Sequence, residues 1–152
     1  MLHYLSRELS ETLTLYPENL NQNTTMSHFS KIKTKLQNKS ALIEALMFMG
    51  YDVDIDRELE NPIGHKHEKV KCEVTLGDDV GFVWNKQNLS YELVTDIQTW
   101  NHPIPVERML EKITQQYCIE LLTATAKTQG FEVETQTVNT DNAIELTVTR
   151  WT

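Results

Sequence analysis

The chain has two cysteines, Cys72 and Cys118, among 152 residues. Two are too few for a disulfide framework. Each lies on an apolar face of its predicted element, where a free cysteine usually packs as a small hydrophobic side chain. Long apolar runs are also missing, since none approaches the roughly 18 residues that a membrane-spanning helix needs. These absences predict a soluble protein from a reducing compartment, with no membrane span.

Positive charge is scarce as well: 14 Lys and Arg stand against 22 Asp and Glu, a net charge of −8. Duplex binding depends on a cationic field that releases counterions, so this balance argues against nucleic acid as a partner. One local exception is the first predicted strand, where Lys31, Lys33 and Lys35 alternate and share a face. This pattern is typical of a solvated edge strand that resists aggregation. The alternative is a single-stranded nucleic-acid site, which needs an exposed aromatic side chain on the same face.

Motifs for catalysis and metal binding are missing too. No glycine-rich phosphate loop, nucleophile elbow or paired-cysteine motif occurs. His65–His67 with Cys72 come nearest to a zinc set, but the histidines fall in a predicted loop and Cys72 on the inward face of a strand. Asp52–Asp56 begins like a calcium loop, yet the sixth position is Arg57 and the twelfth is Ile63. We therefore expect no metal, no cofactor and no identifiable catalytic residue.

Residues 1–25 differ from the remainder of the chain. They end in the polar run Asn19–Thr25, which has no periodicity. They contain no apolar core of a secretory signal, and their acidic residues outnumber the single Arg7, which is unlike an organelle transit peptide. Our hypothesis is that this extension is a mobile arm or an upstream in-frame reading, and that Met26 starts a working domain covering residues 26–152.

From Met26 onward, side-chain periodicity predicts nine elements in the order β-α-β-β-β-β-α-β-β. A helix over Asn38–Met49 is capped by Asn38 or Ser40 and stopped by Gly50. A long helix begins at Pro103–Pro105 and ends at Gly130. A loop covers Leu59–Glu68. Strands are predicted over His28–Leu36, Tyr51–Ile55, Lys69–Leu76, Val80–Trp84, Leu89–Ile97, Phe131–Val138 and Ala143–Trp151.

These elements predict one α+β domain, in which two helices pack on one face of a mainly antiparallel sheet. Each helix has one apolar stripe and each strand one apolar side, so one β-layer covered by two helices buries them all. In the third strand, Val70, Cys72, Val74 and Leu76 are expected to face the same way. Tight turns at Gly77–Asp79 and Lys86–Asn88 make the middle strands an antiparallel meander.

The strongest functional pattern is a cluster of aromatic and charged residues. It occupies the end of the meander, the connection from Trp100 to Pro105, and the start of the long helix. Tryptophan, tyrosine and arginine are enriched at binding hot spots. The alternative is that Trp84 belongs to the core and Trp100 packs on its own loop. The candidate partner- or ligand-binding residues are Trp84, Tyr91, Asp96, Trp100, Glu107 and Arg108.

Six blocks follow one another in a fixed order along the domain: Met26–Thr34, Gly81–Asn85, Tyr91–Asp96, Trp100, Val106–Arg108 and Arg150–Trp151. In these blocks the chain resembles a family of hypothetical chloroplast reading frames, number thirty-five in that series, found in cyanobacteria and algal plastids. The resemblance covers Met26 to Trp151. It implies a plastid location but no activity, cofactor or catalytic residue.

Three functions remain open at this point. The first is a non-catalytic binding or assembly factor of the chloroplast stroma, which would meet an unknown plastid protein partner through the Trp100 region. The second is a small enzyme in which Glu92, Asp96 and Glu107 do acid–base chemistry. The third is the single-stranded nucleic-acid module based on the lysine strand.

Overall fold

The computed structural model describes residues 29–60, 69–138, 140–141 and 143–150. The predicted order of elements is confirmed, and so is the α+β class. The boundary between residues 25 and 26 and the His65–His67 segment lie outside the described residues. The elements are β1 (Ser30–Lys33), α1 (Lys39–Phe48), β2 (Val53–Glu60), β3 (Lys69–Leu76), β4 (Val80–Asn85), β5 (Ser90–Thr95), α2 (Val106–Thr128), β6 (Phe131–Val138) and β7 (Ile144–Arg150).

Helix α1 begins and ends where its sequence predicts. The Asn38 side chain accepts a hydrogen bond from the Ala41 N–H at 3.0 Å, which satisfies a backbone donor in the first turn. The helix ends at Phe48 and its C-cap Met49 is followed by Gly50, whose φ of 85° is readily adopted only by glycine. One side of α1 is buried, and it consists of Ala41, Leu42, Ala45 and Leu46.

Five strands form an antiparallel sheet in the order β1-β5-β4-β3-β2. Residues at even positions of β4 lie opposite odd positions of β5, as in the pairs Phe82–Leu93 and Trp84–Tyr91. Their side chains point to one side of the sheet and join the buried side chains of α1 and α2 in a single core cluster. Both helices therefore cover the same face, as predicted.

The expectation of one continuous β-layer is wrong. Among the described residues β6 and β7 pair with each other as a separate two-stranded sheet. Helix α2 has 23 residues and is about 35 Å long. Gly130, with φ of 83°, turns the chain back at its end, and the hairpin then packs on α2. The length of α2 thus lets the hairpin pack without entering the five-stranded sheet.

Strand β2 runs to Glu60, further than the predicted end at Ile55, and it includes the first two residues of the predicted loop. Asp56, in its middle, has a left-handed φ of 53°. On the neighbouring β3, the pairing with β4 covers only Val74 to Leu76. Beyond this point the Glu73 carboxylate accepts the Trp84 N–H at 2.7 Å. The β2–β3 ribbon therefore leaves the plane of the sheet.

This bend carries Cys72 to the face of the sheet that lies away from the helices, contrary to the predicted alternation with Val74 and Leu76. Gly81 stands between Val80 and Phe82, which both belong to the helix-side core, so a Cβ at Gly81 would point to the opposite side. Such a Cβ would lie only 2.4 Å from Cys72 Sγ and 2.9 Å from Leu59 Cδ1. Cys72 and Leu59 are buried there, outside the helix-side core.

The two outer strands carry opposite charge. On β1, Lys31 and Lys33 are exposed and Ile32 is buried between them. On β2, the exposed side chains are mainly carboxylates: Asp54, Asp56, Glu58 and Glu60. These charged side chains help to keep the outer strands from pairing with other chains.

Candidate functional site at the Trp100 corner

The structure separates the six predicted site residues into two groups at opposite ends of β5. Trp84 and Tyr91 are opposite each other beside the β4–β5 turn. Asp96 follows the other end of β5, where the connection to α2 begins. Tyr91 and Asp96 are five positions apart in the sequence, which is roughly 17 Å along an extended chain. The sequence cluster is therefore not one site in space.

Trp84 and Tyr91 belong to the packing of the core. Their ring centroids are 5.0 Å apart at an angle of 69°, an edge-to-face contact of the kind aromatic pairs favour. Tyr91 is buried, and Trp84 is half-buried against the core. Burial raises the pKa of Tyr91, and the nearby Glu73 carboxylate raises it further.

The second group forms what we call the Trp100 corner, defined as residues 96–108 together with Asp79. Trp100 is half-buried against the core, and its indole N–H donates to the Ile104 carbonyl at 2.9 Å. Its backbone N–H donates to the Ile97 carbonyl at 3.3 Å. The side chain and the backbone of Trp100 thus bind the loop at two points, while part of the ring stays exposed.

His102 and Asp79 complete the corner, and neither was among the residues predicted for the site. The imidazole ring of His102 lies against Trp100, with centroids 4.4 Å apart. Its Nε2 is 2.7 Å from Asp79 Oδ2. The Thr95 hydroxyl donates to the Asp79 carbonyl at 2.8 Å, which fixes this turn against the end of β5. The only sequence signal was a histidine directly before Pro103, with no indication of its partner 23 residues away.

The three remaining predicted residues surround the corner with charge. Asp96 is 5% exposed, and its Oδ1 accepts the Gln98 N–H at 2.9 Å, which starts the loop. Glu107 and Arg108 are exposed in the first turn of α2. Arg108 Nη1 is 3.2 Å from Glu111 Oε2. The corner therefore combines a rigid aromatic centre with exposed charges of both signs.

Of the three carboxylates in the enzyme hypothesis, Glu92 lies outside the Trp100 corner, which contains Asp96 and Glu107. Glu92 lies opposite Lys33 and Val83, on the sheet face away from the helices. Asp96 caps the loop, and Glu107 begins α2. Among residues 29–60, 69–138, 140–141 and 143–150, no group of three metal-ligating side chains comes together. No helix in this part of the chain is long and apolar enough to cross a membrane.

The two thiols are buried, and we expect them to be poor nucleophiles. Burial raises the pKa of Cys72 from about 9.0 to about 11, and the Glu73 carboxylate adds to this. Burial likewise raises the pKa of Cys118 to about 11. At neutral pH almost no thiolate forms. Both thiols should therefore react slowly with iodoacetamide in the native protein and quickly in urea, as followed by mass spectrometry.

The same shifts predict how stability depends on pH. An unfolded thiol releases its proton near pH 9, whereas the folded thiols hold theirs up to about pH 11. Unfolding therefore releases protons in this window, and the free energy of unfolding should fall between pH 9 and 11. The slope reaches at most about 1.4 kcal/mol per pH unit for each thiol. Urea unfolding of the native chain and of Cys118→Ala checks this: equal slopes would contradict the assignment to Cys118.

Comparison with known proteins identifies relatives over most of the chain. The family model described as a protein of unknown function, DUF1257, matches residues 45–147. A protein named Uncharacterized protein ycf35 from Guillardia theta is 36% identical over 132 residues, covering 83% of this chain and 98% of the relative. Proteins of the same name from Pyropia yezoensis and Cyanophora paradoxa are 33% and 30% identical, with the same coverage. No solved structure matches this chain.

These matches confirm the resemblance read from the sequence blocks. Genes of the ycf series are plastid-encoded, and the relatives come from algal plastids, which supports a plastid location for this chain. Because the family model covers more than half of the chain and a relative is 36% identical over nearly its whole length, this chain belongs to the ycf35 family.

Proposed function

We propose that this protein is a non-catalytic binding or assembly factor of the chloroplast stroma, and that it meets a folded protein partner at the Trp100 corner. The observation that carries the proposal is the way this loop is held. Trp100, His102 and Asp79 lock it to the end of the sheet and to the start of α2. A loop held in one conformation loses little entropy on binding.

The composition of the exposed surface supports a protein partner. Asn101, Pro103 and Pro105 are exposed around the partly exposed Trp100 ring, and Glu107 and Arg108 follow on α2. Protein interfaces typically combine a central aromatic anchor with a polar and charged rim. Trp100 would be the anchor, while Glu107 and Arg108 would orient the partner by their charge.

The test is quantitative capture from plastid extract, with the full-length chain immobilised. Arg108→Glu reverses an exposed charge at the corner without touching the core. Lys127→Glu makes the same charge change on the same helix, roughly 30 Å away. We expect the partner to be retained by the native chain and by Lys127→Glu. Its recovery should fall by about fivefold or more with Arg108→Glu, because rim charges set the association rate.

Trp100→Ala supplies the stronger perturbation, since loss of an aromatic anchor typically weakens binding by more than about tenfold. Circular dichroism would verify that this variant is folded before it is used. A partner retained equally by the native chain, Arg108→Glu and Trp100→Ala would exclude the corner as the interface. Recovery of the protein with thylakoid membranes rather than in the stromal fraction would contradict the proposed location.

A further inference from the structure

A polar hollow lies at the other end of β5, away from the Trp100 corner. It has a volume of about 320 Å³, at the lower end of the range for small-ligand pockets, about 300–1,000 Å³. The chain beyond β1 forms one wall, because the Tyr91 N–H donates to the Leu36 carbonyl at 2.8 Å. The β4–β5 turn forms the other. The lining residues are Lys33, Thr34, Lys35, Gln37, Asn88 and Ser90.

Positive charge converges on this hollow in a protein of net charge −8. Lys33 and Lys35 are both exposed and alternate with buried neighbours, so they point to the same side of the chain. Gln37 directly precedes Asn38, the cap of the ten-residue helix α1. The positive end of the helix dipole therefore adjoins the two ammonium groups.

Ser90 is the feature that distinguishes this hollow from an ordinary lysine patch. The residue is 5% exposed and lines the hollow. Within the described part of the chain its hydroxyl makes no hydrogen bond, whereas the neighbouring Thr34 hydroxyl donates to the Tyr91 carbonyl. Because Ser90 lines the hollow and its hydroxyl has no partner among the described residues, that hydroxyl can donate to a ligand oxygen there.

We propose that the hollow binds the phosphate group of a small phosphorylated molecule. Two lysines, a serine hydroxyl and the side-chain amides of Gln37 and Asn88 can donate hydrogen bonds to phosphate oxygens. A hollow of about 320 Å³ is large enough for one small ligand. The protein's acidity and the position of its aromatic side chains disfavour a nucleic acid, because Trp84 and Tyr91 point to the helix side of the sheet.

Glu92 provides a variant that should raise the affinity for phosphate rather than lower it. It lies directly opposite Lys33 and points to the same side of the sheet. Its negative charge opposes an anion near Lys33, so Glu92→Gln should strengthen phosphate binding. The lysine and serine variants described below should weaken phosphate binding. A general loss of structure cannot produce changes of both signs.

The experiment is NMR titration of the amide resonances of the full chain with inorganic phosphate and, separately, with ribose 5-phosphate. We expect saturable shifts at residues 33–37 and 88–90. Sodium chloride at the same ionic strength should not reproduce them. Tighter binding of ribose 5-phosphate than of inorganic phosphate would identify a phosphorylated small molecule as the source; equal affinities would identify the free ion. Either result supports a phosphate site.

Variants of the lining residues test whether the hollow is the site of phosphate binding. The double change Lys33→Gln and Lys35→Gln should weaken phosphate binding by about tenfold or more, since hydrogen bonds to charged groups are the strong ones. The matched control is Lys31→Gln, on the same strand and the same side but outside the hollow, with an expected effect below about twofold. Ser90→Ala should weaken binding severalfold without lowering the thermal stability, because its hydroxyl has no partner among the described residues.

Three results would overturn the proposal. The first is that sodium chloride reproduces the shifts. The second is that Lys31→Gln weakens binding as much as the double variant does. The third is that a short oligothymidylate binds more tightly than ribose 5-phosphate, which would indicate a nucleic-acid site instead. The test is independent of the proposed partner interface, since the two sites lie at opposite ends of β5.

Discussion

Replacing Gly81 with alanine is expected to lower the free energy of unfolding by about 1–3 kcal/mol, the usual cost of overpacking a filled interior. The added Cβ would lie 2.4 Å from Cys72 Sγ, 2.9 Å from Leu59 Cδ1 and 3.1 Å from Cys72 Cβ. The third contact is close to the backbone of β3 and cannot be relieved by a side-chain rotation. Strand β3 must therefore move away from β4 to admit the methyl group.

A double-mutant cycle with Cys72→Ala isolates this contact. Removing the sulfur from the Gly81→Ala protein should recover part of the lost stability, so the double variant should be more stable than the sum of the single effects predicts. Urea unfolding monitored by tryptophan fluorescence measures all four proteins. If the two changes are simply additive, Cys72 does not lie over Gly81 and the described bend of the β2–β3 ribbon is wrong.

Replacing Tyr117 with phenylalanine is the second change with a large expected effect, a loss of about 1–3 kcal/mol. The Tyr117 hydroxyl of α2 accepts the backbone N–H groups of Gln37 at 3.1 Å and Asn38 at 2.9 Å. It thus joins the centre of one helix to the beginning of the other. Phenylalanine keeps the ring in the core but leaves both donors without their acceptor.

Tyr91→Phe is the matched control, because Tyr91 is also buried but its hydroxyl binds none of the described residues. We expect its unfolding free energy to stay within about 0.5 kcal/mol of the native value. Amide hydrogen exchange provides the local measurement. Exchange at Gln37 and Asn38 should accelerate in Tyr117→Phe while exchange in β4 and β5 stays unchanged. Equal stability of the two variants would show that the bond between the helices contributes nothing.

Much of the fold could be predicted because each element carries its own local signal. Alternation located the strands, and Asn38 and Gly50 marked the limits of α1 in agreement with the structure. The bend at Asp56 could not be predicted, because a left-handed aspartate in a strand has no distinctive sequence pattern. This bend reversed the expected direction of Cys72. The separate β6–β7 sheet was not predicted for a different reason. The alternation of apolar and polar residues identifies strands but does not specify which strands pair.

The candidate site, like the fold, could be predicted only in part from the sequence. Trp100 was proposed as the centre of the site from its residue type and from its place in the connection to the long helix, and the structure shows its indole N–H bonded within that connection. Its neighbours were not predictable, since the contact between His102 and Asp79 depends on how the β3–β4 turn meets the start of α2. Grouping Trp84 with Trp100 was wrong because Trp84 lies beside the β4–β5 turn, whereas Trp100 follows the opposite end of β5.

The opposite charges of the two outer strands have a consequence for encounters in solution. Ammonium groups on β1 and carboxylates on β2 are separated by the width of five strands, roughly 19 Å. The five-stranded sheet therefore carries a separation of charge from β1 to β2, which Lys69 and Lys71 of β3, opposite Glu60 and Glu58, reduce on the β2 side. A charged surface would therefore orient the protein before contact, with β1 toward an acidic surface and β2 toward a basic surface. Added salt would screen this interaction and remove the preferred orientation.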